Sequence, residues 1–197
     1  MLIDSNIKFF ILAGGQSKRM GTDKGLVLFK NQSLIQHVIN AILPLSSQIT
    51  IIANSNNYSQ LGYKVISDSI INKGPLSGIY SGLATSDTEN NFFLSCDMPL
   101  IKTELLKFIV LKMDVSGKAN IARHNNFIEP MCGIYSKAII PLLKQQFESN
   151  DLKILNVLNQ TNVNYIDVDN ESFYNKNIFR NINSMDDITG LEKLDHG

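Results

Sequence analysis

Short apolar runs alternate along this chain with longer stretches of helical spacing, and that alternation limits the folds open to it. Ile7–Leu12, Ile49–Ala53, Lys64–Ser67 and Asn91–Ser95 read as strands, the second rich in β-branched residues. Ala119–Ala122, Met131–Tyr135 and Val163–Ile166 continue the series. Between them, Ser33 caps a helix carrying Leu34, Ile35, Val38, Ile39 and Ile42 at helical spacing, with Pro44 just beyond. Further helices are expected over Leu76–Thr85, Thr103–Met113, Ser136 to Phe147 and Asp151 to Leu158. Strand–helix alternation implies βαβ units and a mainly parallel sheet covered on both faces. In such sheets ligands bind beyond the carboxyl ends of the strands.

The 197 residues suit a single domain spanning residues 1–197, with no repeat and no Pro- or Ser-rich linker. Hydrophobic residues at 44% against 18% charged describe a globular chain, not a disordered one. Eighteen Lys+Arg balance eighteen Asp+Glu, which argues against a nucleic-acid or anionic-membrane binder. Two cysteines, Cys96 and Cys132, exclude a disulfide framework and favour a reducing, cytoplasmic setting. No run approaches the roughly 18 apolar residues of a spanning helix. Phe9–Ala13 is too short and too poor in basic residues for a signal peptide.

Three glycine-rich or acidic turns fall at expected strand ends: residues 13–24, 68–78 and 96–99. The first, Ala13-Gly14-Gly15-Gln16-Ser17-Lys18-Arg19-Met20-Gly21-Thr22-Asp23-Lys24, holds three glycines and three basic residues. Glycines allow backbone N–H groups to converge on an anion, and Lys18, Arg19 and Lys24 are there to neutralise a polyphosphate. The spacing fits neither a Walker A loop nor a dinucleotide G-x-G-x-x-G. Read by itself, the segment is equally a flexible turn with solvated charges. Asp68 ends one strand and Gly74-Pro75 opens a helix, where an ordinary turn and cap is the plainer reading. Asp97 follows another strand and is placed for Mg²⁺, although an Asp before Met-Pro is commonly a turn residue.

Together these segments resemble the molybdenum cofactor guanylyltransferase family. Leu-Ala-Gly-Gly-x-Ser-x-Arg-Met-Gly-x-Asp-Lys at residues 12–24 looks like its signature, and Gly-Pro-Leu-x-Gly-Ile at 74–79 and Cys-Asp-x-Pro at 96–99 align as well. Asn181-Ile182-Asn183-Ser184-Met185 resembles its Asn-x-Asn-Thr-Pro segment, with Ser-Met replacing Thr-Pro. The resemblance runs from residue 7 to about residue 190. It implies a three-layer α/β/α, Rossmann-like nucleotidyltransferase fold. It implies an enzyme that joins GMP from GTP to molybdenum-molybdopterin, releasing pyrophosphate, with Mg²⁺ as cofactor. Arg19, Lys24 and Asp97 are then catalytic, and Asp97 holds the metal. Leu12, Ala13, Gly14, Gly15, Lys24, Asn54, Asp68, Gly78 and Asp97 bind GTP. Asn54 stands two residues after Ile52, where the family has an asparagine. Asn181 and Asn183 lie on the molybdopterin side, and Glu129-Pro130 occupies a segment facing the second substrate. The implied partners are GTP, molybdenum-molybdopterin, and insertion or molybdoenzyme chaperone proteins.

A phosphate monoester is mostly ionised near neutral pH, so the acceptor needs no side-chain nucleophile or dedicated base. Asp167-Val168-Asp169 has a D-x-D form, but such pairs are common on surfaces. His37, His124 and His196 are not spaced as zinc ligands. The rival readings are a nucleotidyltransferase using CTP or a sugar or alcohol phosphate acceptor, and a catalytically silent nucleotide-binding module.

Overall fold

A computed structural model describes residues 7–14, 23–70 and 73–195, with side chains as far as Leu191. Strand β1, Ile7–Leu12, runs through the middle of a seven-stranded sheet, and Phe9, Phe10 and Ile11 are all buried. Apolar residues on both of its faces match a parallel strand covered from two sides. On one flank lie β4, Ile49–Ile52, and then β5, Lys64–Ile66, both parallel to β1. On the other is β6, Asn90–Ser95, also parallel, in a register that sets Phe9 opposite Phe92 and Phe10 opposite Phe93. These ring pairs stack at 5.2 and 5.1 Å between centroids, one pair on each face of the sheet.

Beyond β6 come β8, Phe127–Ser136, then β7, Ala119–His124, then β9, Val163–Asp167. Only β8 opposes the common direction. It is antiparallel because it returns from β7 through the two-residue turn Asn125-Asn126, whose φ values of 45° and 63° are those of a type I′ hairpin. β8 is also longer than the expected Met131–Tyr135. Its register with β7 shifts between Ile121 and Ala122, so Pro130 falls where β7 needs no donor. A second small hairpin pairs β2, Leu28–Phe29, with β3, Gln32–Ser33, across Lys30 and Asn31 at positive φ.

Helices α1, Leu34–Ile42, and α3, Thr103–Leu111, pack Ile35, Val38, Ile39, Leu105, Leu106 and Ile109 against one face of the sheet. On the other face, α2, Gly74–Thr85, α4, Ile140–Glu148, and α5, Ile154–Asn159, bury Leu76, Ile79, Leu83, Leu143, Val157 and Leu158. The three layers and the mainly parallel sheet are those expected. Ser33 occupies the N-cap of α1, yet its hydroxyl makes no capping bond. Ser136 does cap, accepting from the Ala138 N–H at 3.0 Å ahead of a 3₁₀ turn that leads into α4.

A last helix, α6, Met185–Asp195, closes the chain. Its start is a reciprocal cap: the Asp187 carboxylate accepts from the Ser184 N–H at 2.9 Å, while the Ser184 hydroxyl accepts from the Asp187 N–H at 3.3 Å. Ile182, Ile188 and Leu191 form a third apolar cluster with Val27, Phe29 and Leu34. That cluster fastens the end of the chain beside the segment that follows the first turn.

Candidate active site

The sheet order β5-β4-β1-β6 places four carboxyl ends side by side, and the chain runs from β1 to β4 and β5 on one flank before crossing back to β6 on the other. Such a switch point opens a crevice at the strand ends. Main-chain bonds extend the ladder into it: Ala13 donates to Ile52, Ala53 to Ile66, and Cys96 to Leu12. These bonds tie Ala13, Ala53 and Cys96, the first residues beyond β1, β4 and β6, to the neighbouring strands.

One end of the crevice is built from β1, β4, β5 and α2. Asn54 and Asp68 bond twice, the Asp68 N–H donating to Asn54 Oδ1 at 3.0 Å and Asn54 Nδ2 donating to Asp68 Oδ2 at 3.3 Å. A Cβ on Gly14 would lie 3.4 Å from Asp68 Oδ2. One on Gly78 would lie 2.6 Å from Leu12 Cδ2, so α2 approaches the end of β1 only because residue 78 has no side chain. Burial raises the Asp68 carboxyl above its usual range, and the bond from Asn54 opposes that shift. Asp68 Oδ1 is buried with no partner among the described residues.

The other end is built from the exit of the first turn, the end of β6 and the C-terminal segment. Lys24 opens a 3₁₀ turn, Lys24–Leu26, and its Nζ contacts Asp97 Oδ2 in an ion pair. The same ammonium donates to Asn183 Oδ1 at 2.5 Å. Side-chain exposure of Lys24 and Asp97 is 19% and 12%, so the pair is largely desolvated. The C-terminal segment is held here by its backbone as well, Ile182 N–H donating to Asp97 O at 2.9 Å. Asn183 thus meets the lysine directly, whereas Asn181, exposed like Asn183, bonds to neither member of the pair.

Asp97 Oδ1 is buried and lacks a partner among the described residues. A carboxylate with one oxygen on an ammonium and the other unsatisfied suits a hard cation whose remaining ligands are phosphate oxygens and water. No group of three or more His, Cys, Asp or Glu gathers as a metal site among the described residues. Cys96 lies buried beside the site, and burial, with the Asp97 charge adding, pushes its thiol up to about 12. It packs and does not act as a nucleophile. Gly15, Lys18 and Arg19 lie outside the described residues.

Leu12, Gly14, Asn54, Asp68 and Gly78 are thus brought together beside Ala13 on the β4–β5 side of β1, and Lys24, Asp97 and Asn183 on its β6 side. Two further groupings were not expected. Asp23 accepts from Ser55 and Asn57, and His124, on the neighbouring β7–β8 hairpin, bonds Glu129 Oε1 at 3.0 Å and meets the Tyr174 hydroxyl at 3.2 Å. Asp167 and Asp169 act separately, the first paired with Arg123 and the second accepting from the Asn125 N–H, so they form no D-x-D metal site. His37 bonds the Phe29 carbonyl at 2.8 Å, a structural role.

A family model described as MobA-like NTP transferase domain matches residues 9–163. A probable molybdenum cofactor guanylyltransferase from Flavobacterium johnsoniae is 41% identical over 183 residues, covering 92% of this chain and 94% of the relative. The molybdenum cofactor guanylyltransferase of Vibrio parahaemolyticus is 32% identical over 199 residues, covering 99% and 100%. Among solved structures, molybdopterin-guanine dinucleotide biosynthesis protein A from Archaeoglobus fulgidus superposes with a TM-score of 0.78 at 25% identity, over 96% and 98% of the two chains.

Proposed function

Because the chain belongs to the MobA-like NTP transferase family, we propose that it transfers GMP from GTP to molybdenum-molybdopterin, forming the guanine dinucleotide cofactor and releasing pyrophosphate. The observation that carries the reading is the convergence of Lys24, Asp97 and Asn183 beside the Leu12-Ala13-Gly14 strand end. A relative 41% identical over nearly the whole chain bears the matching name.

Both reactants are anions, so the barrier is dominated by charge repulsion and alignment. An oxygen of the acceptor phosphate attacks the α-phosphorus of GTP, and the bond to the bridging oxygen of pyrophosphate breaks. An ammonium has three donors. Two on Lys24 are directed at Asp97 and Asn183, which aim the third and hold the charge where the departing pyrophosphate gains its own. Arg19 and the Gly14-Gly15 amides add to that field in this reading. Asn54 and Asp68 hold the guanosine end at the opposite side of the crevice. Asp97 would hold Mg²⁺ through its unpaired oxygen, and a bound Mg²⁺ supplies charge neutralisation of the phosphates.

A cytoplasmic setting belongs to the same proposal. Cys96 and Cys132 are both free and buried, as a reducing compartment permits. No helix among the described residues is long and apolar enough to cross a membrane. The deciding experiment measures pyrophosphate release with GTP and authentic molybdenum-molybdopterin, beside ATP, CTP and UTP, with and without Mg²⁺. Release specific to GTP and abolished by chelation is expected. Preference for CTP would overturn the guanosine assignment, and release undiminished by chelation would remove the metal.

A further inference from the structure

Asp23 stands at the N-cap of the 3₁₀ turn Lys24–Leu26, where an aspartate ordinarily satisfies the N–H groups of its own turn. It makes no such bond. Instead its Oδ2 accepts from Ser55 Oγ at 2.6 Å and Asn57 Nδ2 at 2.8 Å, reaching 32 and 34 residues along the chain. The Ser55 hydroxyl is fixed in turn, accepting from the Asn57 N–H at 3.3 Å.

The same segment supports the turn from below. Tyr58 is fully buried, and a Cβ on Gly25 would come within 2.9 Å of its hydroxyl and 3.2 Å of Cys96 Sγ. Lys24 is therefore gripped on both sides, by the clasped carboxylate of the residue before it and by the packed backbone of the residue after it. Asn54, which precedes Ser55, is the residue bonded to Asp68. Four residues of the segment 54–58, Asn54, Ser55, Asn57 and Tyr58, thus reach both the Asp68 grouping and the Lys24 grouping.

We infer that Asp23 is a positioning residue through which the segment Asn54–Tyr58 sets Lys24, coupling the nucleoside end of the site to the triphosphate end. This rests on the reading of Lys24 as the cation on the triphosphate. Asp23 touches no reacting atom in this scheme. Its carboxylate acts as an acceptor of fixed geometry, and displacing a positioned charge by about 1 Å can cost on the order of 10²-fold in rate.

The test compares Asp23→Ala and Asp23→Asn in wild-type and Lys24→Ala backgrounds, following pyrophosphate release and thermal melting. Asp23→Ala should lower kcat about tenfold or more and change the KM for GTP less than about threefold. Asp23→Asn keeps an oxygen for Ser55 and Asn57 and should recover most of the loss. With Lys24→Ala already present, Asp23→Ala should cost less than about twofold, because the residue it positions is gone. Should Asp23→Ala fail to fold, the Ser55→Ala/Asn57→Ala double variant removes the donors and is read in the same two backgrounds. An equal loss in both backgrounds, or Asp23→Asn no better than Asp23→Ala, overturns the inference. The nucleotide panel on the wild type reads the guanylyltransferase assignment separately. Turnover of CTP in place of GTP removes that assignment and leaves the Asp23 comparison readable on CTP, while absence of any turnover overturns both.

Discussion

Replacing Lys24 with methionine keeps the length and apolar body of the side chain and deletes only its charge. Two unit charges about 4 Å apart attract by roughly 4 kcal/mol at an effective dielectric near 20. Much of that is offset in the native protein by the desolvation of both groups, whose side chains are only 19% and 12% exposed. Deleting one partner forfeits the attraction and leaves the Asp97 carboxylate desolvated and unneutralised. Breaking a fully buried pair costs about 3–5 kcal/mol, and the residual solvent access here brings the expected loss to about 2 kcal/mol. For a chain of this size that lowers Tm by roughly 4–8 °C. Turnover should fall by about 10²–10³, the usual cost of removing one donor aimed at developing charge. The Lys24→Met/Asp97→Asn double variant separates the two effects, because it removes the orphaned charge. Its Tm should exceed that of Lys24→Met while its activity stays lost. The assays are pyrophosphate release under saturating GTP and thermal melting at neutral pH. A kcat within threefold of wild type, or a double variant no more stable than Lys24→Met, would refute this account of the pair.

Two further outcomes follow from packing and protonation. In Gly82→Ala, the new methyl carbon on α2 would sit 2.6 Å from the Phe93 ring and 3.1 Å from Ile52 Cδ1. That ring is pinned by Phe10 and Tyr135, so overpacking of about 1–3 kcal/mol should outweigh a gain of up to about 1 kcal/mol in helix propensity; an unchanged or raised Tm would contradict it. For Asp68, a folded pKa raised above the unfolded value means that the native state binds the proton more tightly. Its cost to stability is absent below the unfolded pKa, grows as pH rises past it, and is complete above the folded pKa. Asp68→Asn should therefore raise Tm at pH 7, with the gain fading toward pH 4, and should raise the KM for GTP. A gain independent of pH would disconnect it from the carboxylate.

Most strands and helices were legible because each carries its own pattern. The continuous apolar run Ile7–Leu12 belongs to a strand buried on both faces, and Leu34, Ile35, Val38, Ile39 and Ile42 mark one side of a helix. The antiparallel course of β8 was less legible. Its signal lies in Asn125-Asn126, a pair that tolerates positive φ, and it was obscured by Pro130 and the shifted register beside it. At the candidate site, Lys24, Asp68 and Asp97 were singled out from turns at strand ends, and Asn54 from the family resemblance alone. The bonds from Lys24 to Asn183 and from Ser55 and Asn57 to Asp23 span 159, 32 and 34 residues, and no local pattern encodes contacts of that kind.

Local chemistry thus specified the alternating elements, the glycines that let α2 and β1 approach, and the acidic and basic residues at the strand ends. Each is a property of a few neighbouring residues, through side-chain period, allowed φ or intrinsic charge. Which charge meets which was settled by the order β5-β4-β1-β6 and by the C-terminal cluster that carries Asn183 back to Lys24. Such pairings depend on long-range burial, because apolar contacts among Val27, Phe29, Leu34, Ile182, Ile188 and Leu191 offset the entropy of bringing distant segments together.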